Sequence, residues 1–236
     1  GILTTGKIKS AKGHFTHFDL VIDQFGAALP SSRDTLQFEN RANDVDYVYH
    51  QDPDFYYLTG YKEPHAVLFV FKDNQKSANG ATYNEIVFVQ PRDERAEMWT
   101  GRRLGEGGTK TMLGFSQAYN NTEFKRYNVD FAKFKEILFF DFNNDVRNDP
   151  RDSSDLYDLI AQFKVKVNYP SEATLTLNRE APMNNLNTKA LASLMDDLRG
   201  IKTKEELDLL RKTVAISCAG QNEVMKAIKP GMSERE

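Results

Sequence analysis

The fold is decided by the stretch Ala66–Phe71, whose sequence AVLFVF is an unbroken run of apolar residues rich in β-formers. Such a run predicts a strand that is buried on both faces of a sheet. A second run, Glu85–Val89 with the sequence EIVFV, predicts a neighbouring strand. The polar segment between them contains Asn79-Gly80, a pair that favours tight turns. The two runs therefore predict a β-hairpin with a long loop.

Strands and helices alternate after this hairpin. Ile137–Phe142 predicts another buried strand, and Ser153-Ser154-Asp155 predicts the cap of an apolar-striped helix that begins at Leu156. Aromatic residues at helical spacing predict a helix within Thr122–Leu138, and Val165–Tyr169 is strand-like. This alternation predicts an α/β domain with a mixed sheet from about residue 66 to residue 170.

The preceding and intervening segments carry weaker patterns. Phe18–Leu29 has apolar residues near a period of 3.6 and predicts a helix that ends at Pro30. Phe55–Thr59 predicts either a short strand or a helical turn, closed by Gly60. Pro91–Gly108 is charged and rich in glycine, which predicts mostly loop.

Two amphipathic helices are predicted near the C-terminus. Thr188–Leu198 carries one apolar face and is ended by Gly200. Thr203 and Glu206 form a capping box, in which each side chain bonds a backbone N–H at the start of a long helix. Pro230-Gly231 ends that helix.

These patterns predict two parts of the chain. We expect an N-terminal α/β domain over residues 1–176, and over residues 177–236 a linker with the opening helices of an incomplete domain. Ser233 is a cap-type residue before a charged turn, which predicts another helix start and suggests a fragment. The alternative is that the two helices form a tail that docks on the main domain.

Composition excludes several classes of protein. Of the 236 residues, 40% are hydrophobic, so the chain can form a core and is not intrinsically disordered. No apolar run approaches the ~20 residues of a membrane helix. The net charge of −3 provides no electrostatic attraction for nucleic acid or an anionic membrane. The single cysteine excludes a disulfide framework and suits the cytoplasm, although a signal peptide removed earlier is the alternative.

Catalytic motifs are missing from the sequence. We find no Gly-x-Ser-x-Gly, His-Glu-x-x-His or Cys-x-x-Cys pattern. The motifs alone therefore favour a binding or regulatory module. Trp99, the only tryptophan, lies in a charged segment between Arg92 and Arg103. Its indole is predicted either to serve an interface or pocket, or to fold back over a strand edge.

Three ordered segments resemble Xaa-Pro aminopeptidases (the aminopeptidase P family). Arg41–Ala66 contains YYLTGYKEP, a family-like run that leads into the first long strand. Pro91–Gly105 contains EMWTGRRLG. Ile201–Glu234 contains IKTKEEL and KPGMSE, which look like the opening of the catalytic domain in that family.

The resemblance implies a mixed β-sheet flanked by helices, as in the creatinase and aminopeptidase P N-terminal domain, followed by the first helices of a truncated pita-bread domain. It also implies an enzyme that removes the N-terminal residue of peptides with a penultimate proline. Two divalent metal ions, expected to be Mn²⁺, would supply the attacking hydroxide in the full-length enzyme. Their ligands in the family lie beyond this segment, so no residue here is expected to be catalytic or metal-binding, and the fragment alone should be inactive.

The resemblance also implies that the N-terminal domain of one subunit borders the active site of another in a dimer or tetramer. Trp99 and Asp44 match family residues near a neighbour's substrate cleft. An indole stacks on a proline ring, and a carboxylate can orient an amine; a simple turn role is the alternative for Asp44. His50 stands where many members have Arg. A prolidase-like dipeptidase and a non-catalytic binding protein on the same fold are the alternative functions.

Overall fold

The computed structural model describes residues 20–23, 40–42, 45–46, 51–77, 80–142, 150, 153–169, 183–233 and 235. These residues form two compact units, one that extends to Met195 and one that begins at Asp196. The strands are β1 (Leu20–Asp23), β2 (Asn40–Ala42), β3 (Val45–Asp46), β4 (Val67–Lys76), β5 (Thr82–Val89), β6 (Ala118–Asn120), β7 (Ile137–Phe139) and β8 (Leu186–Asn187). The helices are α1 (Pro53–Thr59), α2 (Glu94–Thr100), α3 (Gly105–Leu113), α4 (Leu156–Lys166), α5 (Ala190–Gly200) and α6 (Lys204–Ala227).

Six of these strands form one mixed sheet in the order β6-β5-β4-β1-β7-β8. Strand β4 is antiparallel to β5 and to β1, whereas β1 is parallel to β7. The outer pairs β5–β6 and β7–β8 are parallel. Strands β2 and β3 form a separate antiparallel pair. The predicted mixed sheet flanked by helices is therefore confirmed.

The predicted hairpin is β4–β5. Val67 pairs with Phe88 and Phe69 pairs with Ile86, and the register shifts between Val70 and Gln75. The first five residues of β4 are buried, and most of the residues after Phe71 are exposed. The strand therefore has one end in the core and one end that runs to the hairpin loop.

Aromatic rings fill the core around Phe69. Its ring meets four others edge to face, with centroid distances of 5.8 to 6.4 Å, from Phe71, Phe88, Phe124 and Phe131. Edge-to-face pairs add about 0.5–1.5 kcal/mol each beyond the burial of apolar area. Phe131 in turn meets Phe163 of α4 at 5.8 Å, which joins the helix to the sheet.

Three predictions made from local patterns are wrong. Residues 20–23 of the predicted helix Phe18–Leu29 form β1, because pairing with β4 on one side and β7 on the other outweighs a weak helical spacing. The predicted helix in Thr122–Leu138 is replaced by 3₁₀ turns at Asn121–Glu123 and Phe131–Lys133 and by β7. Its aromatic spacing arises because the chain returns to the core several times. The residues Val165 and Lys166 of the predicted strand continue α4.

Helices also form in two segments for which the sequence did not clearly predict them. Pro91–Gly108, predicted as mostly loop, contains α2 and the start of α3. Phe55–Thr59 takes the helical alternative as part of α1, in which the Asp52 carboxylate accepts from two backbone N–H groups and Pro53 occupies the first turn.

Other helix predictions are confirmed. Asp155 caps α4, where its Oδ1 accepts a hydrogen bond from the Asp158 N–H at 2.9 Å. The capping box of Thr203 and Glu206 opens α6. The predicted domain boundary at residues 176 and 177 lies outside the described residues and stays a prediction. Among the described helices, none is long and apolar enough to cross a membrane.

Replacing Phe69 with Ala should lower the free energy of unfolding by about 3–5 kcal/mol, because the change leaves a cavity among four rings. Urea denaturation followed by circular dichroism measures the loss. Met112→Ala is the control, since Met112 is 64% exposed and its loss should stay within about 0.5 kcal/mol. Equal effects of the two substitutions would contradict the central place of Phe69.

Candidate functional site

Trp99 lies in the last turn of α2. Its side chain is 88% exposed, and that of the adjacent Met98 is 75% exposed. The indole therefore does not fold back over a strand edge, which was one of the two interpretations of the sequence. Its role at an interface or pocket stays a prediction. A large aromatic side chain held in solvent is available for stacking on a ligand or another chain.

Asp44, the second predicted site residue, lies outside the described residues, as does His50. The distance between Asp44 and Trp99 is therefore not defined by the described residues. The role of Asp44 stays a prediction from the sequence.

The helix that carries Trp99 is short and closed at both ends. The Asp93 carboxylate accepts hydrogen bonds from the N–H groups of Arg95 and Ala96 at 2.9 and 3.1 Å. At the other end, the Gly101 N–H donates to the Glu97 carbonyl at 3.1 Å, and Gly101 has a φ of 85°. Only a residue without a Cβ adopts that backbone conformation easily, so glycine ends the helix directly after Trp99 and Thr100.

A salt bridge joins the start of this segment to α2. Arg92 Nε and Nη2 donate to the two carboxylate oxygens of Glu97 at 2.5 and 2.8 Å. This two-pronged geometry is the strong form of an Arg–carboxylate pair. The bond raises the pKa of Arg92 and lowers the pKa of Glu97. Both groups are therefore charged at neutral pH, and they attract each other there.

The same arginine closes the segment at its far end. Gly105, the first residue of α3, has a φ of 60°, and a Cβ there would lie 2.7 Å from Cγ of Arg92. The aliphatic part of Arg92 thus lies directly against the Gly105 backbone. We call Arg92–Gly105 the Trp99 loop: its two ends touch, its middle is held by Glu97, and Trp99 projects from it.

The sequence pointed to Trp99 but not to the residues that support it. The signals were present, because Asp93 is a typical N-cap and Arg92 and Glu97 have opposite charges five residues apart. The contact between Arg92 and Gly105 has no local signature.

The structure was also searched for side chains that could bind a metal ion. Within the described ranges, no group of three or more His, Cys, Asp or Glu side chains is placed to hold a metal ion. The described residues do not fit a metal centre, and we assign no metal ligand among them.

Replacing Gly105 with Ala should lower the free energy of unfolding by about 1–2 kcal/mol or more, because the new Cβ meets both a positive φ and the Arg92 side chain. Thermal and urea denaturation measure this loss. Gly107→Ala is the matched control in the same helix, since its Cβ would meet nothing within 4 Å. That change should stabilise the protein by about 0.5–1 kcal/mol. Stabilisation by both changes would contradict the close contact at Gly105.

Comparison with known proteins shows what this chain is similar to. Residues 33–139 match the model of the "Aminopeptidase P, N-terminal domain" family. The Xaa-Pro aminopeptidase of Escherichia coli K12 is 28% identical over 196 residues, which cover 82% of this chain and 40% of that protein. The human Xaa-Pro aminopeptidase 3 is 36% identical over 101 residues, which cover 43% of this chain and 20% of that protein. The predicted resemblance is confirmed.

A solved structure shows the same fold. The aminopeptidase PepP of Pseudomonas aeruginosa superimposes with a TM-score of 0.67 at 21% identity, over 97% of this chain and 45% of that one. The chain thus spans less than half the length of the proteins that it matches.

Proposed function

Because residues 33–139 match the model of the aminopeptidase P N-terminal domain, we propose that this chain is the N-terminal part of a Xaa-Pro aminopeptidase. Such an enzyme removes the first residue of a peptide whose second residue is proline. The relatives named above are Xaa-Pro aminopeptidases, and the chain matches 40% of the length of the Escherichia coli protein. The catalytic domain is proposed to lie in the remaining length.

The chain itself is proposed to form the rim of the substrate site and to take part in assembly. One observation carries this: the only tryptophan is 88% exposed, on a loop whose ends are clamped together. An exposed indole presents a flat apolar face, and the pyrrolidine ring of proline is a compact apolar partner of suitable size. Trp99 would then contact the proline of a peptide bound to another subunit. Asp44 is proposed to orient the substrate amine, on the sequence alone.

The proposal also includes an oligomeric state and a cellular location. A contribution of Trp99 to another subunit requires a homo-oligomer, either a dimer or a tetramer. The single cysteine suits a cytoplasmic enzyme.

Two divalent ions, expected to be Mn²⁺, are proposed for the full-length enzyme and not for this part. The described residues contain no suitable group of ligands. We therefore derive no step of the reaction from a metal here.

Peptide length tests the proposed activity. The full-length enzyme with Mn²⁺ should hydrolyse a tripeptide of the form Xaa-Pro-Xaa faster than a dipeptide Xaa-Pro, and the 236-residue chain alone should show no turnover. Release of the first amino acid, measured by chromatography, gives both rates. Preference for the dipeptide would instead indicate a prolidase, and inactivity of the full-length protein on both would indicate a binding protein.

Replacing Trp99 with Ala in the full-length enzyme should raise KM for proline peptides about two- to tenfold, the equivalent of about 0.5–1.5 kcal/mol of stacking. The melting temperature should stay within about 1 °C, since an exposed side chain contributes little to stability. Steady-state kinetics and a thermal scan measure the two effects. Trp99→Phe is the control, because it keeps an aromatic face and should recover part of the affinity. An unchanged KM with a large loss of stability would contradict the proposed contact.

A further inference from the structure

We propose that Glu63 is a positioning residue that fixes the Trp99 loop on the sheet domain and so sets where Trp99 meets substrate. The substrate part of this inference rests on the proposed function, whereas the loop part does not. Glu63 lies outside the Trp99 loop and before β4. It belongs to the YYLTGYKEP run, whose chemical purpose the sequence left unexplained.

The Glu63 carboxylate connects two distant parts of the chain. Its Oε1 accepts a hydrogen bond from the backbone N–H of Leu104 at 2.7 Å, across 41 positions of sequence. Its Oε2 accepts from the hydroxyl of Tyr61 at 2.9 Å. One oxygen thus holds the end of the Trp99 loop, and the other is held by a side chain of the Glu63 segment itself.

The hydrogen bond from Leu104 to Glu63 stabilises the start of α3. Leu104 is the N-cap residue of α3, and its own side chain makes no capping hydrogen bond. The first N–H groups of a helix lack partners within the helix, and the positive end of the helix dipole attracts negative charge. Glu63 supplies a carboxylate at this helix start from a remote part of the chain. A bond from an N–H to a charged acceptor is also stronger than one between neutral groups.

Glu63 is itself held firmly. Tyr61 is fully buried, and its N–H donates to Oγ1 of Thr59 at 3.0 Å, at the end of α1. The Glu63 carbonyl accepts from Nε2 of Gln51 at 2.9 Å. Pro64 follows directly and restricts the backbone. The anchor is therefore a rigid support rather than a flexible surface side chain.

The strand pairing places Glu63 and the Trp99 loop at the same end of strands β4 and β5. Val67 at the start of β4 pairs with Phe88 near the end of β5. The chain just before β4 carries Glu63, and the chain just after β5 enters the Trp99 loop at Arg92. Because Arg92 also touches Gly105 and binds Glu97, we expect the loop to move as one unit. A hydrogen bond at Leu104 then restricts the whole unit, including Trp99.

The single tryptophan makes the loop directly observable, since excitation at a wavelength that tyrosine does not absorb gives fluorescence of the 236-residue chain from Trp99 alone. Glu63→Ala should increase the nanosecond local motion of the indole about twofold, measured as the fast part of its anisotropy decay. The exchange rate of the Leu104 amide should rise about tenfold or more, measured by NMR, because its acceptor is lost. Glu63→Gln keeps an acceptor oxygen at the same reach and should restore much of the order.

Glu223→Ala is the matched control, because it removes the same charge at an exposed position of α6, where the side chain is 74% exposed. It should change neither the anisotropy decay nor the Leu104 exchange. Circular dichroism verifies that each variant is folded. If Glu63→Ala and Glu63→Gln are both folded and leave both readouts at the wild-type values, the anchor is refuted, whatever the enzyme assays show.

The substrate part is tested by a double-mutant cycle in the full-length enzyme. Glu63→Ala should raise KM for a proline tripeptide with kcat nearly unchanged. Added to Trp99→Ala, it should raise KM no further, because it acts through the indole. Additive effects, or a loosened loop with an unchanged KM, would overturn the positioning role. A wild-type enzyme without Xaa-Pro activity would refute the proposed function, and the fluorescence and exchange results would still decide the anchor.

Discussion

The packing of Phe69 against the rings around it is the interaction on which the rest of the described fold depends. Its four partners come from β4 itself, from β5, and from the two 3₁₀ turns that precede β7. Because one side chain touches all of these segments, its burial requires the hairpin and the turns to assemble together. Phe131 then extends the cluster to Phe163 of α4. In the same sheet, β1 lies on the other side of β4, and β7 lies beside β1.

This core reaches the functional segment through the hairpin. The antiparallel pairing of β4 with β5 places the residues before β4 beside those after β5. Glu63 and Arg92 stand at these positions, and each contacts the far end of the Trp99 loop, at Leu104 and Gly105 respectively. The loop thus holds an exposed aromatic side chain without any core of its own. Charge-assisted hydrogen bonds and a glycine contact replace hydrophobic burial as the source of order.

Elements with strong local signals could be predicted. The β4–β5 hairpin, the Asp155 cap of α4 and the capping box of α6 each arise from residues close together in sequence. The failures share one cause. Strand β1 is only four residues long and is specified by its two neighbours, and the 3₁₀ turns at Asn121 and Phe131 serve the core rather than a helix. Local spacing has no information about such partners, so tertiary contacts override it.

The sequence by itself determined the resemblance to the aminopeptidase P N-terminal domain, the hairpin, the capped helices and the identity of the candidate site residue, since a lone tryptophan in EMWTGRRLG is a property of composition and order. The tertiary structure alone decided that Trp99 is exposed and that Arg92, Glu97 and Gly105 clamp its loop. The tertiary structure alone also placed the Glu63 carboxylate at the start of α3, where it binds the N–H of Leu104 41 residues away. The physical reason is the range of the interactions. Propensities and caps act within a turn or two of the chain, whereas a carboxylate finds a distant N–H only after the sheet has brought both to one edge.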